Sequence, residues 1–136
     1  MMNNDEQGEK KPFNDPVLLV DDEEHFLNGI YMTLKSEGFN DVVRCKDSRE
    51  VIPLLKKKRY SLILLDILMP HVRGDALLSK ILEEQPGVKV IMVTAVNNVE
   101  TAVDCMSEGA ADYLLKPVEK SELIEKVKKA LAEVKP

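Results

Sequence analysis

The sequence predicts an α/β domain, with one parallel five-stranded sheet covered by helices on both faces. Three observations carry that expectation. Short apolar runs recur along the chain, each followed by an amphipathic stretch, in the order βαβαβαβαβα. The runs VLLV and LILL show no polar alternation, as strands buried on both faces require. Residues with useful chemistry (Asp21, Asp22, Asp66, Thr94 and Lys116) stand just past four of the runs. In a parallel sheet with right-handed crossovers those ends point one way, so the five side chains converge on one edge.

Residues 1–15 (MMNNDEQGEKKPFND) are polar and aperiodic and read as a flexible leader, with Phe13 as an apolar anchor; residues 16–136 form the domain. VLLV (17–20) is the first strand. Phe26, Leu27, Ile30 and Leu34 fall on one face of the first helix, which Gly38 stops. DVVRC (41–45) is the second strand. Residues 48–58 read as a helix with Asp47 and Glu50 as a capping pair. Pro53 lies inside that stretch, so the helix either starts late or bends. SLILL (61–65) is the third strand, and Gly74 marks a turn. Leu77, Leu78, Ile81 and Leu82 face the core from the next helix, which ends before Gln85-Pro86-Gly87. VKVIMV (88–93) precedes a helix whose stripe is Val99, Ala102, Val103 and Met106, closed by Gly109. ADYLL (111–115) is the last strand. Ser121 is the expected cap of the last helix, which carries Leu123, Ile124, Val127, Leu131 and Val134, with lysines toward its C-terminal half.

A chain of 136 residues suits a single domain with a real core. Its net charge of −5, without a basic stripe, argues against direct nucleic-acid contact by this segment. No apolar stretch approaches the roughly 18 residues of a membrane helix, and no signal-peptide pattern opens the chain. Cys45 and Cys105 are too few for a metal or disulfide framework and read as small, buried, reduced residues of a cytoplasmic protein.

Three carboxylates cannot crowd together as bare anions; they demand a cation or a shifted pKa. Asp21, Asp22 and Asp66 with Lys116 sum to −3 + 1 = −2, which one divalent ion cancels. Oxygen ligands without His or Cys favour Mg²⁺, with Mn²⁺ as an alternative. Asp66, at the end of the central run, is the natural nucleophile, and its attack on a phosphoryl group yields an acyl phosphate. Lys116, the ion and the Thr94 hydroxyl would supply the charge neutralisation that phosphoryl transfer needs.

VLLVDDE, LILLDILMP with Gly74, VIMVTA and GAADYLLKP together resemble, in order, the receiver domain of bacterial two-component response regulators. The likeness covers about residues 17–134. It implies a flavodoxin-like (βα)₅ three-layer sandwich with strand order 2-1-3-4-5. It implies that Asp66 is the phosphoacceptor, that Asp21, Asp22 and Asp66 hold Mg²⁺ with the backbone carbonyl of Leu68, and that Lys116 binds the phosphoryl group. Thr94 resembles the switch hydroxyl, Tyr113 the switch aromatic, and Lys116-Pro117 a peptide bond often cis in the family. A sensor histidine kinase is the implied phosphodonor, and the fourth helix, last strand and last helix the implied homodimer face. Such a domain catalyses only its own phosphotransfer and slow dephosphorylation, and switches conformation to control an output.

The stretch TAVNNVETAVDCMSEGAADYLLKP is most similar to receivers of NtrC-like transcriptional activators, which implies transcription regulation as the output. Those proteins continue into an ATPase and a helix-turn-helix domain. Neither pattern follows here, which leaves a stand-alone receiver and an excised domain both open. Arg73 replaces the acidic residue the family often has before its glycine, and His71 is read as an exposed loop residue, with a role as phosphodonor or ligand as the lesser alternative. Leu68 and Val96 are apolar at places where receivers tune hydrolysis, so the phosphorylated form is expected to decay over hours rather than seconds.

Other readings fit less well. Aspartyl-phosphate phosphatases place a second Asp two residues after the first, where Leu68 stands. A flavin or nucleotide module needs small residues at the first strand–helix turn to cradle phosphate, and Asp21-Asp22-Glu23-Glu24 repels anions. A receiver-like domain that only binds partners would lack one or more of the five groups.

Overall fold

The computed structural model describes residues 13–133, so most of the expected leader, and Val134, lie outside the described residues. The elements are β1 (Val17–Val20), α1 (Glu24–Ser36), β2 (Val42–Cys45), α2 (Val51–Lys57), β3 (Leu62–Leu65), α3 (Gly74–Glu84), β4 (Lys89–Thr94), α4 (Val99–Glu108), β5 (Asp112–Leu115) and α5 (Lys120–Ala132). All strand pairs are parallel, in the order β2-β1-β3-β4-β5.

The apolar runs divide their side chains between two cores. Leu18, Val20, Ile63, Leu65, Val90 and Met92 pack with Leu55, Leu78 and Ile81 on one side of the sheet. Val17, Leu19, Leu62, Leu64, Ile91 and Val93 pack with Leu27, Leu34, Leu123 and Val127 on the other. Successive strand residues point to opposite faces, so a strand covered on both sides has no position left for a polar residue. Phe13 stacks on Phe39 with centroids 4.4 Å apart, and its backbone bonds Gly38 and Asn40.

Register then decides which strand ends meet. Val20 pairs with Leu65, so the next residues, Asp21 and Asp66, emerge side by side. Thr94, expected just beyond its strand, is the last residue of β4 and pairs with Leu115; the Lys116 amide donates to the Thr94 carbonyl at 2.8 Å.

Several element boundaries differ from expectation. A 3₁₀ turn occupies Ser48–Glu50 and α2 starts only at Val51, which puts Pro53 in its first turn, where a missing N–H costs nothing. The expected capping pair is half formed. Asp47 accepts from the Arg49 amide, but Glu50 makes no capping bond, because the tighter turn leaves it as the residue preceding α2. Ser121 is not the cap of α5. The helix begins a residue earlier, after an extended Glu119, and Ser121 lies inside its first turn. Gly109 closes α4 at φ +117°, a conformation that suits glycine. The stripe of α4 faces largely outward: among its residues only Cys105 is buried, and Val99 is 79% exposed.

Candidate functional site

The site sits at the C-terminal edge of β1, β3, β4 and β5, where the order of the chain through the sheet reverses. Asp21 and Asp66 are buried at 3% and 5% exposure, whereas Asp22 is exposed. Carboxylate oxygens from all three lie within 4.8 Å of one another. The Lys116 ammonium is 2.8 Å from Asp21 Oδ2 and 3.5 Å from Asp66 Oδ2, with Glu23 at 3.9 Å.

Backbone amides aim the two buried carboxylates. The Glu23 amide donates to Asp21 Oδ1 at 2.9 Å, and the Ile67 amide to Asp66 Oδ1 at 2.7 Å. Each carboxylate keeps its Oδ2 toward Lys116. Burial raises the pKa of Asp21, against the lowering pull of its bonds to Lys116 and the Glu23 amide. Burial also disfavours the Lys116 ammonium, but the Asp21 hydrogen bond and the charges of Asp21 and Asp66 prevail and raise its pKa. Lys116 is thus held protonated beside three clustered carboxyl groups. An all-carboxylate set of this kind fits a hard divalent cation and no soft one.

The Leu68 carbonyl, the fourth expected ligand, lies in the loop after β3. Ile67 and Pro70 carbonyls accept hydrogen bonds there, and that of Leu68 accepts none among the described residues. Its side chain is half exposed. Thr94 is fully buried, and its hydroxyl accepts from the Val96 amide at 3.3 Å. The Tyr113 hydroxyl donates to the Val96 carbonyl at 2.7 Å. The two expected switch residues therefore grip the same residue of the β4–α4 loop, one through its amide and one through its carbonyl. Lys116-Pro117 is cis.

Four contributors were not singled out from the sequence. Phe26, assigned only to the helix core, lies beneath the site with the Lys116 ammonium 4.1 Å from its ring centroid. Glu23 faces the same ammonium. Gly74, expected as a turn and as the glycine of the LILLDILMP motif but with no contact to the site, presses so closely on the Asp66 backbone that any Cβ would collide with the Asp66 carbonyl. Ser48 bonds the loop that follows Asp66. Sequence spacing cannot pair Ser48 with residue 70; Gly74, at a fixed short distance from Asp66, was the readable one.

Residues 17–128 match the family described as the response regulator receiver domain. The transcriptional regulatory protein ZraR of Salmonella typhimurium is 33% identical over 116 residues, covering 85% of this chain and 26% of the relative. The response regulator protein FleR of Pseudomonas aeruginosa is 35% identical over 111 residues, covering 82% and 23%. The chain thus spans about a quarter of the length of these curated relatives. A CheY-like receiver domain protein from Methanospirillum hungatei superposes with a TM-score of 0.84 at 33% identity, covering 89% of this chain and 96% of that one. NtrX from Brucella abortus gives 0.82 at 29% identity, covering 88% and 27%.

Proposed function

This chain belongs to the response regulator receiver domain family, and on that premise we propose that Asp66 accepts a phosphoryl group from a sensor histidine kinase. The observation that carries the reading is the convergence of Asp21, Asp22, Asp66 and Lys116 at one sheet edge. The Asp66 oxygen attacks phosphorus, a P–O bond forms as the P–N bond of a phosphohistidine breaks, and the released imidazole takes a proton. Asp21, Asp22, Asp66 and the Leu68 carbonyl hold Mg²⁺, or Mn²⁺ in its place, which when bound offsets charge on the acceptor and the transferring oxygens. Lys116 supplies the remaining positive charge.

The Thr94 hydroxyl, which now accepts from Val96, has its own proton free to donate to a phosphoryl oxygen. Drawing Thr94 toward the phosphoryl group disturbs Val96 and with it the Tyr113 bond, so the charge at Asp66 is passed to the β4–α4 loop. The domain is a signalling switch occupying residues 16–136, in the cytoplasm, and its output is transcription regulation, as the names of its relatives suggest. Val99, Val103 and Met106 on α4 and Leu115 on β5 are exposed apolar residues, which supports dimerisation through α4, β5 and α5. No helix among the described residues is long and apolar enough to cross a membrane.

The test is intact mass after incubation with acetyl phosphate and MgCl₂. The wild-type chain gains one phosphoryl group, and neither Asp66→Ala nor an EDTA-treated sample does. A gain that survives Asp66→Ala refutes the reading. Apolar Leu68 and half-buried Val96 offer no polar group to a hydrolytic water. Replacing both with polar residues is therefore expected to shorten the lifetime of the phosphorylated form, measured by the same mass assay.

A further inference from the structure

The loop after Asp66 contains a strained turn. His71 has φ +78°, and the Val72 amide bonds back to the Pro70 carbonyl at 3.0 Å, which closes a three-residue turn around a non-glycine residue. Turns of this hand are rare and costly because the side chain crowds its own backbone. Such a conformation persists only where the surroundings impose it.

Ser48 imposes it. It comes from the 3₁₀ turn after β2, is 3% exposed, and spends its hydroxyl entirely on this loop. Its Oγ donates to the Pro70 carbonyl at 2.7 Å and accepts from the Val72 amide at 3.1 Å. One buried side chain thus grips both flanks of the strained residue. On the other side, the Gly74 amide bonds the Ile67 carbonyl at 2.8 Å. The segment from Ile67 to Gly74 is pinned at both ends, and Leu68 lies within it, two residues before Pro70.

We propose that Ser48 is a positioning residue for cation binding: by holding the His71 turn it sets where the Leu68 carbonyl stands relative to Asp66. The inference rests on the reading that Leu68 and the three aspartates hold a divalent ion. Groups that orient metal ligands without touching the metal commonly change affinity by roughly 10- to 100-fold when removed. A single carbonyl among several ligands places Ser48 at the low end of that range.

The experiment is calorimetric titration of MgCl₂ into the metal-free chain for wild type, Ser48→Ala, His71→Gly, and the double variant. Ser48→Ala removes one oxygen without adding bulk, and an unchanged circular dichroism spectrum establishes that it folds. It is expected to weaken Mg²⁺ about tenfold, and the Val72 amide is expected to exchange faster with solvent even without metal. Glycine adopts positive φ freely. His71→Gly is therefore expected to restore the Ser48→Ala chain to within roughly threefold of wild type, while changing little alone. A purely structural serine would not be rescued by relaxing a turn at another position. Wild-type affinity in Ser48→Ala, or loss that His71→Gly does not repair, overturns the proposal. Wild-type protein that shows no saturable Mg²⁺ binding overturns the metal reading itself, and this inference with it.

Discussion

The acidic end of β1 and β3 and the helix α4 are packed in opposite ways. Every residue of β1 and β3 is buried, and Asp21 and Asp66 extend those strands with backbone amides aiming each carboxylate. Helix α4 buries Cys105 alone among its residues and presents Val99, Val103 and Met106 to solvent. The first region has nowhere to go, and the second is held by little. Local stability in a folded domain follows such differences in burial. On the proposed reading, the carboxylate that reacts sits where geometry is fixed, and the surface that responds sits where a small free-energy change can shift populations.

The largest effect is expected from crowding the fixed region. Gly74→Ala drives a Cβ into the Asp66 carbonyl, and about 3 kcal/mol or more of stability should be lost in urea unfolding. A neutral result would mean that the loop yields and the region is not rigid.

Next comes the ion. With MgCl₂ at a hundred times its Kd, the wild-type chain should gain about 2.7 kcal/mol of unfolding free energy by mass action. A variant carrying both Asp21→Asn and Asp22→Asn should gain little. Equal gains in the two proteins would separate Mg²⁺ from this cluster.

A smaller effect of opposite sign is expected from Asp21 without metal. Burial raises its pKa in the folded state, so the folded chain holds that proton more tightly than the unfolded chain. Stability from this group is full at acid pH and lost as pH rises through the folded-state pKa. Metal-free Asp21→Asn should therefore be more stable than wild type at pH 7, the reverse of the usual sign for a point substitution. The difference should vanish below pH 4, as a pair of thermal melts would reveal.

The smallest effect belongs to α4. Val103, at 55% exposure, gives up little buried surface, so Val103→Ser should change stability by less than about 0.5 kcal/mol. It should nonetheless weaken any self-association of the phosphorylated chain, read by sedimentation. A loss of stability comparable to that of Gly74→Ala would erase the contrast.

What could be read beforehand follows the range of the forces involved. Strands buried on both faces announce themselves because no polar residue is tolerated, and Asp21 and Asp66 are legible because each directly continues such a run. The meeting of Lys116 with both was inferable from topology. The outward turn of α4 was not, since Val99, Val103 and Met106 show the same periodicity whether a core or solvent lies opposite. Ser48 looked like a helix-start residue because its partners, Pro70 and Val72, are distant in sequence. Gln85, expected only as the stop of α3, is likewise buried and bonds Leu55, Lys58 and Tyr60 across the gap between two helices. Ser121 misled because a good capping residue lay one turn position past the true start of α5.

Charge placed on the fixed carboxylate is expected to be felt at the loosely held helix. Amide hydrogen exchange on the chain before and after phosphorylation at Asp66 tests it most directly. Protection should change across the β4–α4 loop, α4 and β5, with β1 and β3 unchanged. Phosphorylated protein whose α4 amides exchange as before, or whose changes centre on β1, would contradict it.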